Sequence, residues 1–140
     1  MAAIKYYGCP CIVVDMGTAT TIVVIDGKRT YLGGAFVPGV NLSLQALSAG
    51  ASLLPAISIS APKKVISTNT VDCMRSGTVY GTAAMLDGII ERMEEELGER
   101  CKVIATGGLA HLIVPWCRRE IILDDDLLLK GIWALWEKNS

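Results

Sequence analysis

Two runs of β-branched residues stand near the start of the chain, "CIVV" at 11–14 and "TIVVI" at 21–25, separated by a short polar stretch. Both are of strand length and rich in Val, Ile and Thr, so the pattern predicts strands over 11–16 and 20–26. A third strand follows at 29–37, with Asp26-Gly27 as the signal for a tight hairpin turn between the last two. The period then changes. In "VNLSLQALSAGASLLP" the apolar positions Val40, Leu42, Leu44 and Leu47 are compatible with a helix that ends near Gly50 and is closed off by Pro55, before a loop through Pro62. The longest helical signal runs from Asn69 to about Leu97, with Val71, Met74, Ala84, Ile89, Ile90, Met93 and Leu97 apolar and Asp72 in the first turn. Gly77, Gly81 and Gly88 weaken it by about 1 kcal/mol each relative to alanine. They imply either a kink or split, or a face that a neighbour approaches closely. "CKVIATGGLA" is a strand running into a glycine turn and a helix, and "EIILDDDLLLKGIWALWEKN" repeats strand and helix.

The resulting order, β-β-β-α-α-β-α-β-α, is a meander followed by helical crossovers. It argues for a mixed sheet with helices packed on it rather than a bundle or a sandwich. With 140 residues and 51% hydrophobic content, the chain encloses one substantial core and one domain. A mean hydropathy of +0.44 is high for a soluble domain of this size, and a face hidden by another chain or segment accounts for it.

One polar group interrupts this pattern. Asp15 sits where the first strand gives way to Gly17, Thr18, Ala19, Thr20 and Thr21, and a buried polar group left unpaired costs about 1–3 kcal/mol. Backbone, water or a ligand must meet that turn. An acid, a sterically open backbone and several hydroxyls form the set that phosphate and cation chemistry needs, although an ordinary Asp- and Thr-capped turn uses the same residues. Gly107 and Gly108 in "ATGGLA" follow a strand and open a helix, where they either lie flat against a nucleotide or make a tight turn. "GGAFVPG" at 33–39 has the same two readings, as a substrate-shaping or a merely structural loop.

The remaining candidates are structural. His111, the single histidine, has no triad or zinc partner at a recognisable spacing. Asp124, Asp125 and Asp126 precede an apolar helix and cap it. Trp133 and Trp136, three apart, read as core or interface aromatics. Cys9, Cys11, Cys73, Cys101 and Cys117 are odd in number and lack CxxC spacing, so they read as buried free thiols. The Asn41-Leu42-Ser43 sequon has no secretory context. There is no P-loop and no dinucleotide fingerprint. Thirteen basic and fourteen acidic residues leave a net charge of −1, which gives no general attraction to nucleic acid or an anionic membrane. Without a signal-peptide pattern or an apolar run of membrane length, the expected location is cytoplasmic.

Taken in order, "VVDMGTATT", "GGAFVPGVNLSLQAL" with "LLP" after it, "STNTVDCMRSG", "VIATGGLA" and "LLLKGIWALWEKN" resemble the second half of type III pantothenate kinase, the family also called Baf. The five ordered blocks cover nearly the whole chain. The resemblance implies a ribonuclease-H-like mixed sheet with packed helices, one of the two domains of an enzyme in the actin-like, hexokinase-like ATPase superfamily, with ATP in the cleft between them. On this resemblance residues 1–140 are the C-terminal domain. The family's N-terminal domain, with a "DxGNT"-like phosphate loop and a "GxDR"-like segment holding the catalytic base, is expected to be missing, and "MAAIKYYG" looks like the tail of the linking helix.

By position, Asp15 corresponds to an active-site acid near the phosphates and the cation. Gly17, Thr18, Thr20 and Thr21 correspond to the second phosphate loop, and Gly107 and Gly108 to the turn against adenosine. Gly33, Gly34, Pro38 and Gly39 correspond to the loop on the pantothenate side, and Thr70 to a position close to that substrate at a homodimer interface. Where the family has an "IGKNT"-like stretch this chain has "ISTNT", with Ser67 and Thr68 in place of a glycine and a basic residue. The implied ligands are ATP with magnesium, pantothenate and a monovalent cation, potassium or ammonium. The implied reaction is phosphoryl transfer to pantothenate, with this half inactive by itself. The alternative is a non-catalytic binding or regulatory module of the Baf type.

Overall fold

In the computed structural model, which describes residues 1–50 and 57–139, the first strand forms the middle of the sheet. Strands β1 (Cys11–Met16), β2 (Ala19–Ile25), β3 (Tyr31–Pro38), β4 (Lys102–Thr106) and β5 (Ile122–Leu123) lie in the order β3-β2-β1-β4-β5. The meander pairs are antiparallel, whereas β1 pairs with β4 and β4 with β5 in parallel. Parallel neighbours need a crossover. Helices α2 (Val40–Gly50) and α3 (Thr70–Leu97) provide the first, and α4 (Ala110–Ile113) with the 3-10 turn Val114–Trp116 the second. A short helix α1 (Ala2–Tyr7) precedes the sheet and α5 (Leu127–Asn139) follows it. This is the expected mixed sheet with helices packed on it.

The two faces of the sheet are covered unequally. Alternate residues Ile12, Val14, Met16, Ile22 and Val24 pack with Val79, Ala83, Leu86 and Ile90 of α3. On the other face a smaller cluster joins Cys11, Ile25 and Ile104 to Ala2 and Ala3 of α1 and Leu127 of α5. Among the described residues no helix is long and apolar enough to cross a membrane.

The long helix is neither kinked into two nor closely approached within the chain. Helix α3 runs unbroken for 28 residues, about 42 Å at 1.5 Å per residue. Asn69 caps it by accepting from the Asp72 N–H, and Gly98 closes it in the left-handed conformation. Burial of Val79, Leu86 and Ile90, at about 2 kcal/mol per side chain, outweighs the three glycines. A Cβ placed on Gly77, Gly81 or Gly88 would meet nothing within 4 Å.

Two further expectations need correction, and a third, core or interface for the two tryptophans, is narrowed. The Asp26-Gly27 turn is longer than two residues. Asp26 Oδ1 accepts from the N–H groups of Lys28 and Thr30, and the left-handed residue is Arg29, with φ 67°, rather than the glycine. Cys73 is exposed and Cys9 and Cys117 are half-buried, although Cys11 and Cys101 are buried as expected and all five thiols are free. Trp133 and Trp136 stack on each other but are exposed, so neither belongs to the core. The predicted closure by Pro55 lies outside the described residues.

A largely covered ion pair ties the far end of α3 to the β5 side. Both side chains are largely covered, at 14% and 13% exposure. Arg119 donates to both carboxylate oxygens of Glu94 and to the Cys101 carbonyl at 2.9 Å, while Glu94 also accepts from the Cys101 N–H. The Arg119 hydrogen bonds hold the Glu94 carboxyl below its ordinary range against the opposing effect of burial. Because the folded value is the lower one, this stabilisation is present above the unfolded carboxylate pKa and is lost as pH falls through the folded value. Arg119→Met is expected to lower stability by about 2–4 kcal/mol near neutral pH, since it strands a covered carboxylate. The deficit should shrink on acidification. Urea midpoints for both proteins at several pH values check this, and equal midpoints near neutrality would remove the pair from the account of stability.

Candidate active site

Strands β1, β4 and β5 run in one direction and end along one edge of the sheet, where β3 also ends and β2 begins. Carboxyl ends of neighbouring parallel strands are where α/β sheets present ligand sites. Asp15, the Gly17-Thr18 turn, Pro38, Gly39, Gly107 and Gly108 all collect at this edge.

Strand register aligns a row of side chains across the sheet. Asp15 lies opposite Thr21 of β2 and Thr106 of β4, and Thr21 lies opposite Phe36 of β3. Directly paired residues share a face, and at about 4.8 Å per strand the row Phe36–Thr21–Asp15–Thr106 spans about 14 Å. Its face is the one that α1 and α5 cover only in part. Asp15 is exposed, and Phe36 is 76% exposed. Among the described residues none gives Asp15 a hydrogen bond or an ion pair. Its Oδ1 would stand 3.8 Å from a Cβ at Gly17.

Two glycines hold the turn beside this row. Gly39 donates its N–H to the Thr18 carbonyl at 3.1 Å, and a Cβ there would fall 2.1 Å from that oxygen. On the other side Gly107, at φ 103°, lies so close to Met16 that a Cβ would sit 2.6 Å from its carbonyl oxygen. The Asp15–Thr18 backbone is therefore clamped from β3 and from β4. Gly108, in contrast, faces open space, with nothing within 4 Å of a Cβ.

Not every sequence candidate joins the row. Thr20 is 1% exposed and pairs with Met16 and Val37, which puts its side chain on the α3 face, away from Asp15. Gly33 and Gly34 are strand residues, not loop residues. Their partners Val24 and Val23 lie well inside the sheet; a Cβ on Gly34 would fall 1.8 Å from the Ile22 carbonyl oxygen, so Gly34 serves the approach of β3 to β2, whereas Gly33 has open space around it and supplies a φ of 116°. Thr70 is exposed at the first turn of α3, one turn before Cys73 and Met74, which border a groove with Val37 and Pro38. His111 is exposed and lies apart from the row.

Phe36 and Thr106 were not singled out from the sequence. A hairpin centred on Thr18 pairs 15 with 21, so the signal for half of the row was present. The partners on β3 and β4 follow only from the sheet order. A second carboxylate at this edge, Asp124, is committed elsewhere. It is 7% exposed, accepts from the Asp126 N–H in the turn that precedes α5, and also accepts from Lys130 Nζ at 2.7 Å and from the Tyr7 hydroxyl. Burial pushes its carboxyl up, but the Lys130 and Tyr7 hydrogen bonds outweigh that and leave it below the ordinary value. Of the aspartate run, Asp124 holds the turn that leads into α5, and Asp125 and Asp126 are exposed. Among the described residues no three His, Cys, Asp or Glu side chains converge as a metal cage.

The chain is similar to known proteins in sequence and in fold. The family model for type III pantothenate kinase matches residues 1–92. Over 99% of its length the chain is 47% identical to the type III pantothenate kinase of Halalkalibacterium halodurans, and over 100% it is 48% identical to that of Shouchella clausii; it covers 55% of each. The Koribacter versatilis relative is 45% identical, with 51% of its length covered. The chain thus spans about half the length of these curated relatives. In fold it is similar to a conserved Baf family protein of Campylobacter jejuni described as a transcriptional activator, at a TM-score of 0.73 and 21% identity over 99% of this chain and 61% of that one. It is also similar to the ethanolamine utilization protein EutJ of Carboxydothermus hydrogenoformans, at a TM-score of 0.53 and 20% identity over 92% of this chain and 49% of that one. The family match over most of the chain, on a sheet whose free acid stands at the strand ends, places it: the chain belongs to the type III pantothenate kinase family.

Proposed function

We propose that the chain is the C-terminal, ribonuclease-H-like wall of a cytoplasmic pantothenate kinase cleft. The reaction is phosphoryl transfer from ATP to the terminal hydroxyl of pantothenate, the first step of coenzyme A biosynthesis. The observation that carries this reading is Asp15, exposed and uncommitted on a half-covered sheet face beside a turn clamped by Gly39 and Gly107. Phosphoryl transfer depends on positioning and charge neutralisation more than on covalent chemistry, and such an edge supplies both.

Each residue then has a part. Magnesium takes one or two carboxylates together with water and phosphate oxygens, and the accessible Asp15 fits that donor set. Bound there, the ion would offset phosphate charge. Potassium or ammonium, the second ion of this reading, would occupy the same neighbourhood. Gly17, Thr18 and Thr21 border the phosphates, and Thr20 contributes through the backbone of the turn. Gly107 fixes the β4 turn, and Gly108 leaves room for the adenosine. Pro38, Gly39 and Thr70 lie on the pantothenate side, with Gly33 and Gly34 seating β3.

One wall touches a ligand without enclosing it, so the other wall and the base for the hydroxyl are assigned to sequence corresponding to the relatives' remaining length. By itself the 140-residue chain is expected to show no pantothenate phosphorylation. A chimera of the Halalkalibacterium halodurans relative, with its matched portion replaced by this chain, is expected to be active. Radiolabelled phosphate transfer from ATP checks both. Robust turnover by the 140-residue chain, or none by a folded chimera, would sink the reading.

Pairing of two copies belongs to the same proposal. Gly77 and Gly81 are exposed on α3 along a groove of about 420 Å3 that also includes Val37, Pro38 and Met85, where a second copy fits closely. A strictly monomeric mass of the chimera by light scattering at hundred-micromolar concentration would contradict it.

A further inference from the structure

A groove of about 730 Å3 runs between α3 and the turn that follows the 3-10 segment. Arg100, at one end of it, stands two residues before β4, on the edge where the parallel strands begin, whereas Asp15 stands where they end. The groove has two chemically distinct ends. At one, Tyr80 and Trp116 meet edge to face with ring centres 5.2 Å apart, beside the exposed Val65. The Tyr80 hydroxyl donates to the Pro62 carbonyl, which holds its ring in place, and Trp116 remains open to solvent. At the other end Arg100, Arg118 and Arg119 gather with Asp87, Glu91 and Glu94. The acids are mostly committed. Asp87 accepts from the N–H groups of Arg118 and Arg119, at 2.8 and 3.0 Å, one on each oxygen, and Glu94 is held by Arg119 and the Cys101 N–H. The guanidinium groups of Arg100 and Arg118 have no hydrogen-bond or ion-pair partner among the described residues, and of the three lining acids only Glu91 is likewise free.

We propose that this groove binds a small organic anion whose ring packs on Trp116 and whose phosphate or carboxylate group is taken by Arg100 and Arg118. Its volume lies within the range of about 300–1,000 Å3 of small-molecule sites, which combine apolar walls with a few placed polar groups. Arginine forks match the oxygens of a phosphate or carboxylate, and an exposed tryptophan offers a flat face with a large contact area. Charge selects the sign of the ligand. With Asp87 and Glu94 committed, two free guanidiniums stand against one free carboxylate, so a cation would meet repulsion and an uncharged ring would leave both arginines unused. The Asp87 bonds also pin the backbone from which Arg118 projects, so little of the turn has to be ordered on binding. Because the arginines lie at the sheet edge opposite Asp15, the ligand is not a reactant of the proposed kinase chemistry. It bridges α3 and the 117–120 turn, bracing the second crossover on the first, and the site does not depend on the kinase reading.

NMR of the 140-residue chain tests this, because its three tryptophans give three indole N–H signals and only Trp116 lines the groove. Phenyl phosphate and benzoate are the probes, with inorganic phosphate and phenol as controls. At least one probe should shift the Trp116 signal saturably, with a Kd of about 1 mM or tighter, and leave Trp133 and Trp136 in place. Whichever probe binds more tightly identifies the anion as phosphate or carboxylate. Arg100→Gln and Arg118→Gln should each weaken binding about tenfold, the loss of one charge-assisted hydrogen bond, at an unchanged melting temperature. Arg118→Gln keeps the backbone N–H that Asp87 accepts. Should either variant unfold, the shifts of the unsubstituted chain decide. The inference is overturned if neither probe gives a saturable shift, if both folded arginine variants bind as the unsubstituted chain does, or if inorganic phosphate or phenol binds as tightly as the probes. Binding abolished by Asp15→Asn would place the anion at the strand ends and overturn it too. A chimera that fails to phosphorylate pantothenate would reject the kinase reading and leave this one standing.

Discussion

Asp15→Asn in the chimera is expected to lower kcat by about 10²–10³-fold, the usual loss when one charge-stabilising group is taken from a reaction centre. Folding should not suffer. Asp15 is exposed and has no hydrogen-bond or ion-pair partner among the described residues, and surface changes of that kind move stability by about 0.5 kcal/mol or less. The substitution keeps size and shape and removes only the charge, so the loss should fall on kcat and on the magnesium dependence rather than on the melting temperature. Phosphorylation close to the unsubstituted rate, with ATP and magnesium saturating, would take Asp15 out of the site. A collapse of stability would show instead that the carboxylate has a structural role the fold does not reveal.

Much of this arrangement was legible in the chain, because local signals and the final contacts agree. The β-branched runs gave β1 and β2, and Asn69 with Asp72 three residues later marked the start of α3 as it occurs. Asp15 stood out as an acid where a strand should be apolar, and that position is at the open strand edge. Legibility stopped where the deciding contact is distant in sequence. Thr20 and Thr21 are chemically alike, and only the register of three strands puts one beside Asp15 and the other under α3. The turn after β2 depended on Asp26 capping two backbone N–H groups, which outweighed the neighbouring glycine signal. Trp133 and Trp136 fit a core or an interface equally well by composition. Which of the two holds depends on which face of α5 the sheet takes, and the sheet takes Leu127 and Ala134.

The glycines of the site and of α3 make the last expected result one of opposite signs. Gly39→Ala should destabilise the fold by about 3 kcal/mol or more, since the new methyl would lie 2.1 Å from the Thr18 carbonyl oxygen and backbone on both sides would have to move. Gly107→Ala meets two penalties. Its φ of 103° is a conformation that side chains rarely adopt, and its methyl would stand 2.6 Å from Met16 backbone. Both changes displace the backbone that follows Asp15, so kcat in the chimera should fall together with stability. At Gly88, in the helix interior, a methyl meets nothing within 4 Å, and Gly88→Ala should stabilise the chain by about 0.5–1 kcal/mol. Urea unfolding of the three variants decides between a clamp and a set of permissive turns. If Gly39→Ala and Gly107→Ala lose no more than about 0.5 kcal/mol, the range of ordinary surface changes, the strand-end clamp does not exist. A loss at Gly88→Ala of the size expected for the other two would mean that something approaches α3 there, and the second copy proposed for its exposed face would be the first candidate.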